Sequence, residues 1–329
     1  MLAFRPRTRL APPPQERGWA PPDTPWAVSI SEGTMVLDPQ RWELVDDVAP
    51  LLATLPPSLT RSVTATPDGT ALELRTGPQA TVADAIAELG ALRGRLTAAL
   101  GRAGGLRAAT AGSHPFASQA NTYALHVAVA IPDFGRATLA HDRLRNHLAV
   151  LLALSANSPF LAGRETGFCS ARGEALDDPS ADVGLVPERG VVEVRVLDAQ
   201  TRLCDVAALT ALVQCLAHLE ANRSAKRTDR RAQLADVVAG RAHAARDGMR
   251  AQLPDGAARD LATKLVDAAV PHAVKLGCLA ELERVRLLAA RPGDVQQRAR
   301  ARLRPGETSG GRRLRALTQD LSAAYLEHA

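Results

Sequence analysis

Strict alternation of apolar and polar positions marks three short stretches of the chain. In LHVAVAI, residues 125–131, Val127, Val129 and Ile131 share one face of a strand, and His126, Ala128 and Ala130 share the other. In VVEVRVLD, which begins at Val191, the valines 192, 194 and 196 oppose Glu193 and Arg195. In TALELRTG, residues 70–77, Leu72 and Leu74 oppose Glu73 and Arg75. A further strand is predicted for AVSISEGTMVLD, from Ala27, with ordered structure beginning near Trp26. Helical spacing governs VADAIAELGALRGRLTAALGRA, from Val82, and Gly104 and Gly105 stop it. A second helix is predicted over residues 135–156, ending before Pro159. Residues 163–190 read as loop, rich in Gly, Asp, Ser and Pro, and the chain beyond the last strand is helical almost throughout. With no internal repeat and no interdomain linker, the pattern predicts one α+β domain over residues 26–329.

The three strands carry ionisable groups on one face only. Such a face either meets solvent or lines a cavity while helices cover the back, and alternation alone allows both. Composition narrows the rest. An apolar content of 46% supports a sizeable core, and 3% aromatics means that the core is mostly Ala, Leu and Val. The formal charge is +5, carried mainly by dispersed arginines. Scarce aromatics and the lack of a known module argue against nucleic acid as a partner, the basic run NRSAKRTDRR at residues 222–231 reading as a solvated helix face. Cys169, Cys204, Cys215 and Cys278 lack paired metal-ligand spacing and read as reduced and structural, hence a cytoplasmic location. No apolar run reaches the roughly 18 residues of a membrane span. Residues 1–25, rich in Arg and Pro, read as a disordered extension.

Longer motifs add a resemblance. LLALSANSPFLAGRETGFCSAR, residues 151–172, followed by VEVRVLDAQTRLCD, residues 192–205, closely resembles the type 2 glutamate–cysteine ligases, also called carboxylate-amine ligases. GSHPF at residues 112–116, LELRTGP at 72–78 and a weak GDVQQR at 293–298 support it in chain order. The resemblance implies a fold similar to glutamine synthetase, an antiparallel sheet curved into a funnel with helices outside and a helical C-terminal half. It implies an ATP-dependent ligase that phosphorylates a glutamate-like carboxylate and lets an amine displace the phosphate. Magnesium would bridge the nucleotide phosphates, because a hard cation takes oxygen ligands and neutralises the transferring phosphoryl group. Carried over residue by residue, Glu73, His126 and Glu193 fall on metal-ligand positions. Glu193 and Arg195 are the catalytic candidates, Arg195 meeting the nucleotide phosphates, and Arg172 and Arg164 fall toward the substrate. A homodimer or a partner subunit is implied in the same way.

The departures are specific. Where the family has G-V-E-E-E-F, this chain has Ser29-Ile30-Ser31-Glu32-Gly33-Thr34, so alternation turns Ser31 and Gly33 inward and Glu32 outward. An upstream acid becomes Thr66, and H-V-H-V-G becomes His126-Val127-Ala128-Val129-Ala130. Nine residues separate Phe116 from His126, where the family has several dozen, and the stretch between Arg172 and Glu193 is also shortened. The expected function is therefore a divergent ATP-dependent ligase with a depleted metal site acting on a small amino acid and an amine. A second reading is a catalytically silent homologue that keeps the fold as a binding or partner-regulating module. His114 in GSHPF is expected to orient a turn, His141 and His147 to lie on different faces of a helix, and Cys169 to serve packing.

Overall fold

The computed structural model describes residues 18–118, 123–175, 178–224, 234–302 and 310–327. Its strands, in chain order, are β1 (Val28–Leu37), β2 (Val63–Ala65), β3 (Leu72–Arg75), β4 (Arg107–Ala109), β5 (Ala124–Ala130), β6 (Phe160–Leu161), β7 (Arg164–Glu165), β8 (Val183–Val186), β9 (Val191–Asp198), β10 (Gln252–Leu253) and β11 (Gly256–Ala257). The helices are α1 (Ala49–Leu52), α2 (Val82–Arg102), α3 (Phe134–Leu144), α4 (Leu148–Ser155), α5 (Ala171–Glu174), α6 (Leu203–Asn222), α7 (Leu234–Asp247), α8 (Ala258–Leu276), α9 (Leu279–Ala290), α10 (Gly293–Arg302) and α11 (Gly310–Ala324). The main sheet has the order β2-β3-β1-β5-β9-β8, with β4 beside the far end of β1, and its strand pairs are antiparallel.

Valine and leucine alternate onto the back of this sheet. Ile30, Leu74, Val127 and Val194 there meet Leu92 and Leu96 of α2 and Leu209 and Val213 of α6 in one buried cluster. Burial of each such side chain contributes about 1.5–3 kcal/mol, which is why the polar positions are left on the other face. α2 starts where Thr81 accepts the Asp84 amide at 3.1 Å. Its Arg93 reaches into the core and donates to both oxygens of Glu32 at 2.7 and 2.6 Å, both side chains being fully buried. Glu32 thus points away from the sheet's polar face. Arg93 also donates to the carbonyls of Gln200, Thr201 and Tyr325, tying α2, the start of α6 and the end of α11 together.

α6 is long and apolar enough to cross a membrane by composition, with a mean hydropathy of 1.4, but 83% of that window is buried inside the fold. Its apolar surface is used by the core. The helix predicted over residues 135–156 is two helices joined by a 3-10 turn at Arg145–His147. α3 is amphipathic whereas α4 is buried on nearly every side. The predicted loop over residues 163–190 contains a hairpin strand, a short helix and β8, which pairs with β9. β8 is held by tertiary pairing that its VGLV pattern does not announce.

Residues 18–25, expected to belong to a disordered extension, pack against the domain. The Trp19 indole donates to the Ile131 carbonyl at 3.2 Å and Ala20 N to the Pro187 carbonyl at 2.8 Å. Residues 1–17 and 225–231, the latter carrying most of the basic run, lie outside the described residues.

Candidate functional site

Sheet register builds the site. Ser31 pairs with Arg75 on one side and His126 on the other, Gly33 with Glu73, and Ala128 with Glu193. Paired residues share a face, so these side-chain positions all lie opposite the hydrophobic core. Glu73, His126, Glu193 and Arg195 line one cavity of about 640 Å³ together with Ser29, Ser31, Arg75, Glu188 and Arg189. A second cavity of about 530 Å³, lined by Gly33, Thr66, Asp68, Arg172 and Asp182 among others, meets the first at Glu73, His126 and Arg195. The polar face lines these cavities, with Arg75 and Arg195 still partly exposed to solvent.

The carboxylates on this wall are already partnered. Glu73 accepts from the Ser31 hydroxyl and from Arg75 Nη2, the latter at 2.7 Å. Burial pushes its carboxyl up, but the bonds from Arg75 and Ser31 outweigh that and hold it below the ordinary glutamate range. Glu193 accepts from Arg195 Nε at 2.8 Å and lies 2.6 Å from Arg195 Nη2. His126 is driven down to about 4, first by burial and then by the Arg172 charge, with Glu193 and Glu73 opposing. It is therefore a neutral imidazole at pH 7. Among the described residues, no three His, Cys, Asp or Glu side chains stand close enough to hold a metal ion. Glu73, His126 and Glu193 share the wall without forming a ligand cluster, because arginines two residues along the same strands take the carboxylates. As arranged, this donor set does not fit magnesium.

Other expected site residues divide. Arg172 lies beneath Arg195, 2% exposed, and its guanidinium donates to the carbonyls of Val196 and Arg195 at 3.0 and 2.9 Å. Arg164 is brought to a different place. The β6–β7 hairpin turns through Ala162 and Gly163, both at positive φ, and sets Arg164 in a separate cavity of about 280 Å³ with Arg298 and Arg313. Arg164, expected toward the substrate, is thus not on the wall that carries Glu73, His126, Glu193 and Arg195. His114 is buried and bonded to the Trp42 carbonyl and the Phe116 amide, while His141 and His147 face Asp142 and Glu220. Cys169 is buried beside Arg250 and Arg298, and burial is the first cause of its rise to about 11. Arg189, Glu188, Asp68 and Asp182 were not anticipated. The first two precede β9 in a turn, and only the pairing of β8 with β9 brings them to the cavity rim.

Solved structures similar to this fold, an antiparallel sheet with helices packed on its back, include two ligases. The structure of Francisella tularensis glutamate–cysteine ligase in complex with AMP is similar over 93% of this chain and 90% of that one, with a TM-score of 0.66 and 13% identity. The ligase PafA, solved in complex with the ubiquitin-like protein Pup, is similar over 84% of this chain and 68% of its own, with a TM-score of 0.56 and 14% identity. In sequence, the Rubrobacter xylanophilus protein named "Putative glutamate–cysteine ligase 2-1" is 31% identical over 78% of this chain and 85% of its own length. The profile of glutamate–cysteine ligase family 2 matches residues 116–177 and 173–318. The chain belongs to glutamate–cysteine ligase family 2.

Proposed function

We propose that the chain is a divergent ATP-dependent carboxylate–amine ligase of the glutamate–cysteine ligase type, with a metal site depleted at Ser31, Gly33, Thr66 and Ala128. The observation that carries this reading is the meeting of Glu73, His126, Glu193 and Arg195 on one cavity wall in a member of this family. A carboxylate oxygen of a glutamate-like substrate attacks the terminal phosphorus of ATP, ADP departs, and an acyl phosphate forms. The amine nitrogen then attacks the acyl carbon, the carbon–oxygen bond to phosphate breaks, and the nitrogen loses a proton. Arg195 and Arg189, both on the cavity wall, are suited to phosphate oxygens, whose charge they meet with planar paired donors. The proton that the nitrogen sheds goes to solvent, because an imidazole held at about 4, as that of His126 is, is too weak a base to keep it at pH 7. The glutamate–cysteine ligase neighbour bound to AMP supports a nucleotide in a fold of this kind.

The test is phosphate release by the purified protein from ATP, glutamate and a panel of primary amines, with the amide product followed by mass spectrometry. The expected result is one phosphate per amide and loss of both in Arg195→Ala. Phosphate release that depends on neither glutamate nor amine would overturn the ligase reading, and no release at all would favour a silent binding homologue.

A further inference from the structure

The register between β5 and β9 contains an irregularity at the site. Val127 pairs with Val194, but Leu125, two residues back along β5, pairs with Leu197, three residues on along β9. Arg195 and Val196 together therefore stand opposite His126, and β9 carries a bulge there. β8 cannot brace it, because its pairing with β9 ends at Val183 opposite Val194. The carbonyls of these same two bulge residues are the ones that Arg172 holds, Nη2 on Arg195 at 2.9 Å and Nη1 on Val196 at 3.0 Å.

Arg172 is in turn fixed from behind. Its Nη1 lies 3.5 Å from Asp198 Oδ1, and Asp198 also accepts from Asn157 N, Ser158 Oγ and Ser170 Oγ at 2.8, 2.7 and 2.9 Å. Asp198 is fully buried, and a Cβ on Gly112 would stand 2.6 Å from it, so its place admits no side chain at 112. On the cavity side the Arg195 guanidinium lies over bare backbone, a Cβ on Gly184 meeting Nη2 at 3.1 Å.

We propose that Arg172 is a positioning residue: it clamps the β9 bulge that presents Arg195 to the cavity, and acts on a bound anion through Arg195. The proposal rests on the reading that Arg195 meets the phosphates. A lysine at 172 would keep the charge but lose the planar fork that gives each carbonyl its own nitrogen. Arg172 Nε has no hydrogen-bond partner among the described residues. Direct contact with the ligand is therefore the competing arrangement, and the two make opposite predictions for a double variant.

Calorimetric titration of ATP and of inorganic tripolyphosphate into wild type, Arg172→Gln, Arg172→Lys, Arg195→Gln and the Arg172→Gln/Arg195→Gln pair distinguishes them. Each single variant is expected to weaken binding by about tenfold or more, and the double variant to bind no more weakly than Arg195→Gln alone. Losses that multiply in the double variant, or wild-type affinity in Arg172→Lys, would overturn the proposal. Hydrogen exchange of the ligand-free proteins is the second arm. Amides of residues 195–197 are expected to exchange faster in Arg172→Gln and Arg172→Lys while those of α6 keep their protection, and unchanged exchange at 195–197 overturns the clamp. Should wild type bind neither anion, the ligase reading fails and the exchange result alone decides the clamp. If Arg172→Gln does not fold, Arg172→Lys carries both arms.

Discussion

Ser31→Glu returns an acid to the β1 position whose hydroxyl now donates to Glu73. Because that hydroxyl is already in hydrogen-bond contact, the new carboxylate would come within about 4 Å of Glu73, where two like charges repel by about 4 kcal/mol at an effective dielectric near 20. Arg75, 2.7 Å from Glu73, offsets part of this. Arg75 is also more than half exposed, so solvent screens its share, and a net cost of about 2–3 kcal/mol remains. The repulsion disappears when a divalent cation sits between the two carboxylates. Magnesium at a hundred times its dissociation constant would return about 2.7 kcal/mol. The assay is urea unfolding of wild type and variant in EDTA and in magnesium chloride. The variant should be less stable by that 2–3 kcal/mol in EDTA and regain most of it with magnesium, while wild type should respond little. Equal magnesium stabilisation of the two proteins would refute the account of a depleted site. An unchanged stability of the variant in EDTA would refute the placement of residue 31 beside Glu73.

Gly33→Ala should destabilise by about 1–3 kcal/mol in the same assay, since its Cβ would stand 2.9 Å from Tyr123 Cα, whereas Gly94→Ala, with nothing within 4 Å in mid-helix, should stabilise by about 0.5–1 kcal/mol. Arg93→Ala leaves the Glu32 carboxyl buried without its partner and should cost about 3–5 kcal/mol; a loss below about 1 kcal/mol would mean that α2 is not anchored there. His114 is held at about 4 rather than 6.5 by burial, its bond to the Trp42 carbonyl opposing. Its folded pKa is depressed, so its contribution is fully present above about 6.5 and is lost as pH falls toward about 4, amounting to about 3 kcal/mol. The stability of His114→Asn, measured from pH 7 to pH 4, should fall less steeply than that of wild type by that amount.

Alternation along β3, β5 and β9 was enough to place Glu73, His126 and Glu193 on one face, because a period of two is a local property of an extended chain and needs no partner strand. The long motif at residues 151–172 was enough for the family. Alternation also turned Glu32 away from that face, but its partner Arg93 lies 61 residues on, and only helix packing brings the two together. Register is likewise non-local. The β9 bulge sets Leu197 rather than Val196 opposite Leu125 and gives Arg172 two carbonyls to hold, which no spacing within VVEVRVLD reveals. The hairpin that carries Arg164 away, and the pairing of β8 that brings Arg189 to the rim, depend on contacts between segments with weak patterns of their own. Gly33 illustrates the division most plainly. In sequence it stands where the resemblance expects a glutamate, while in the fold the Tyr123 backbone passes so close that a Cβ there would force a shift, a contact between segments that no local pattern reveals.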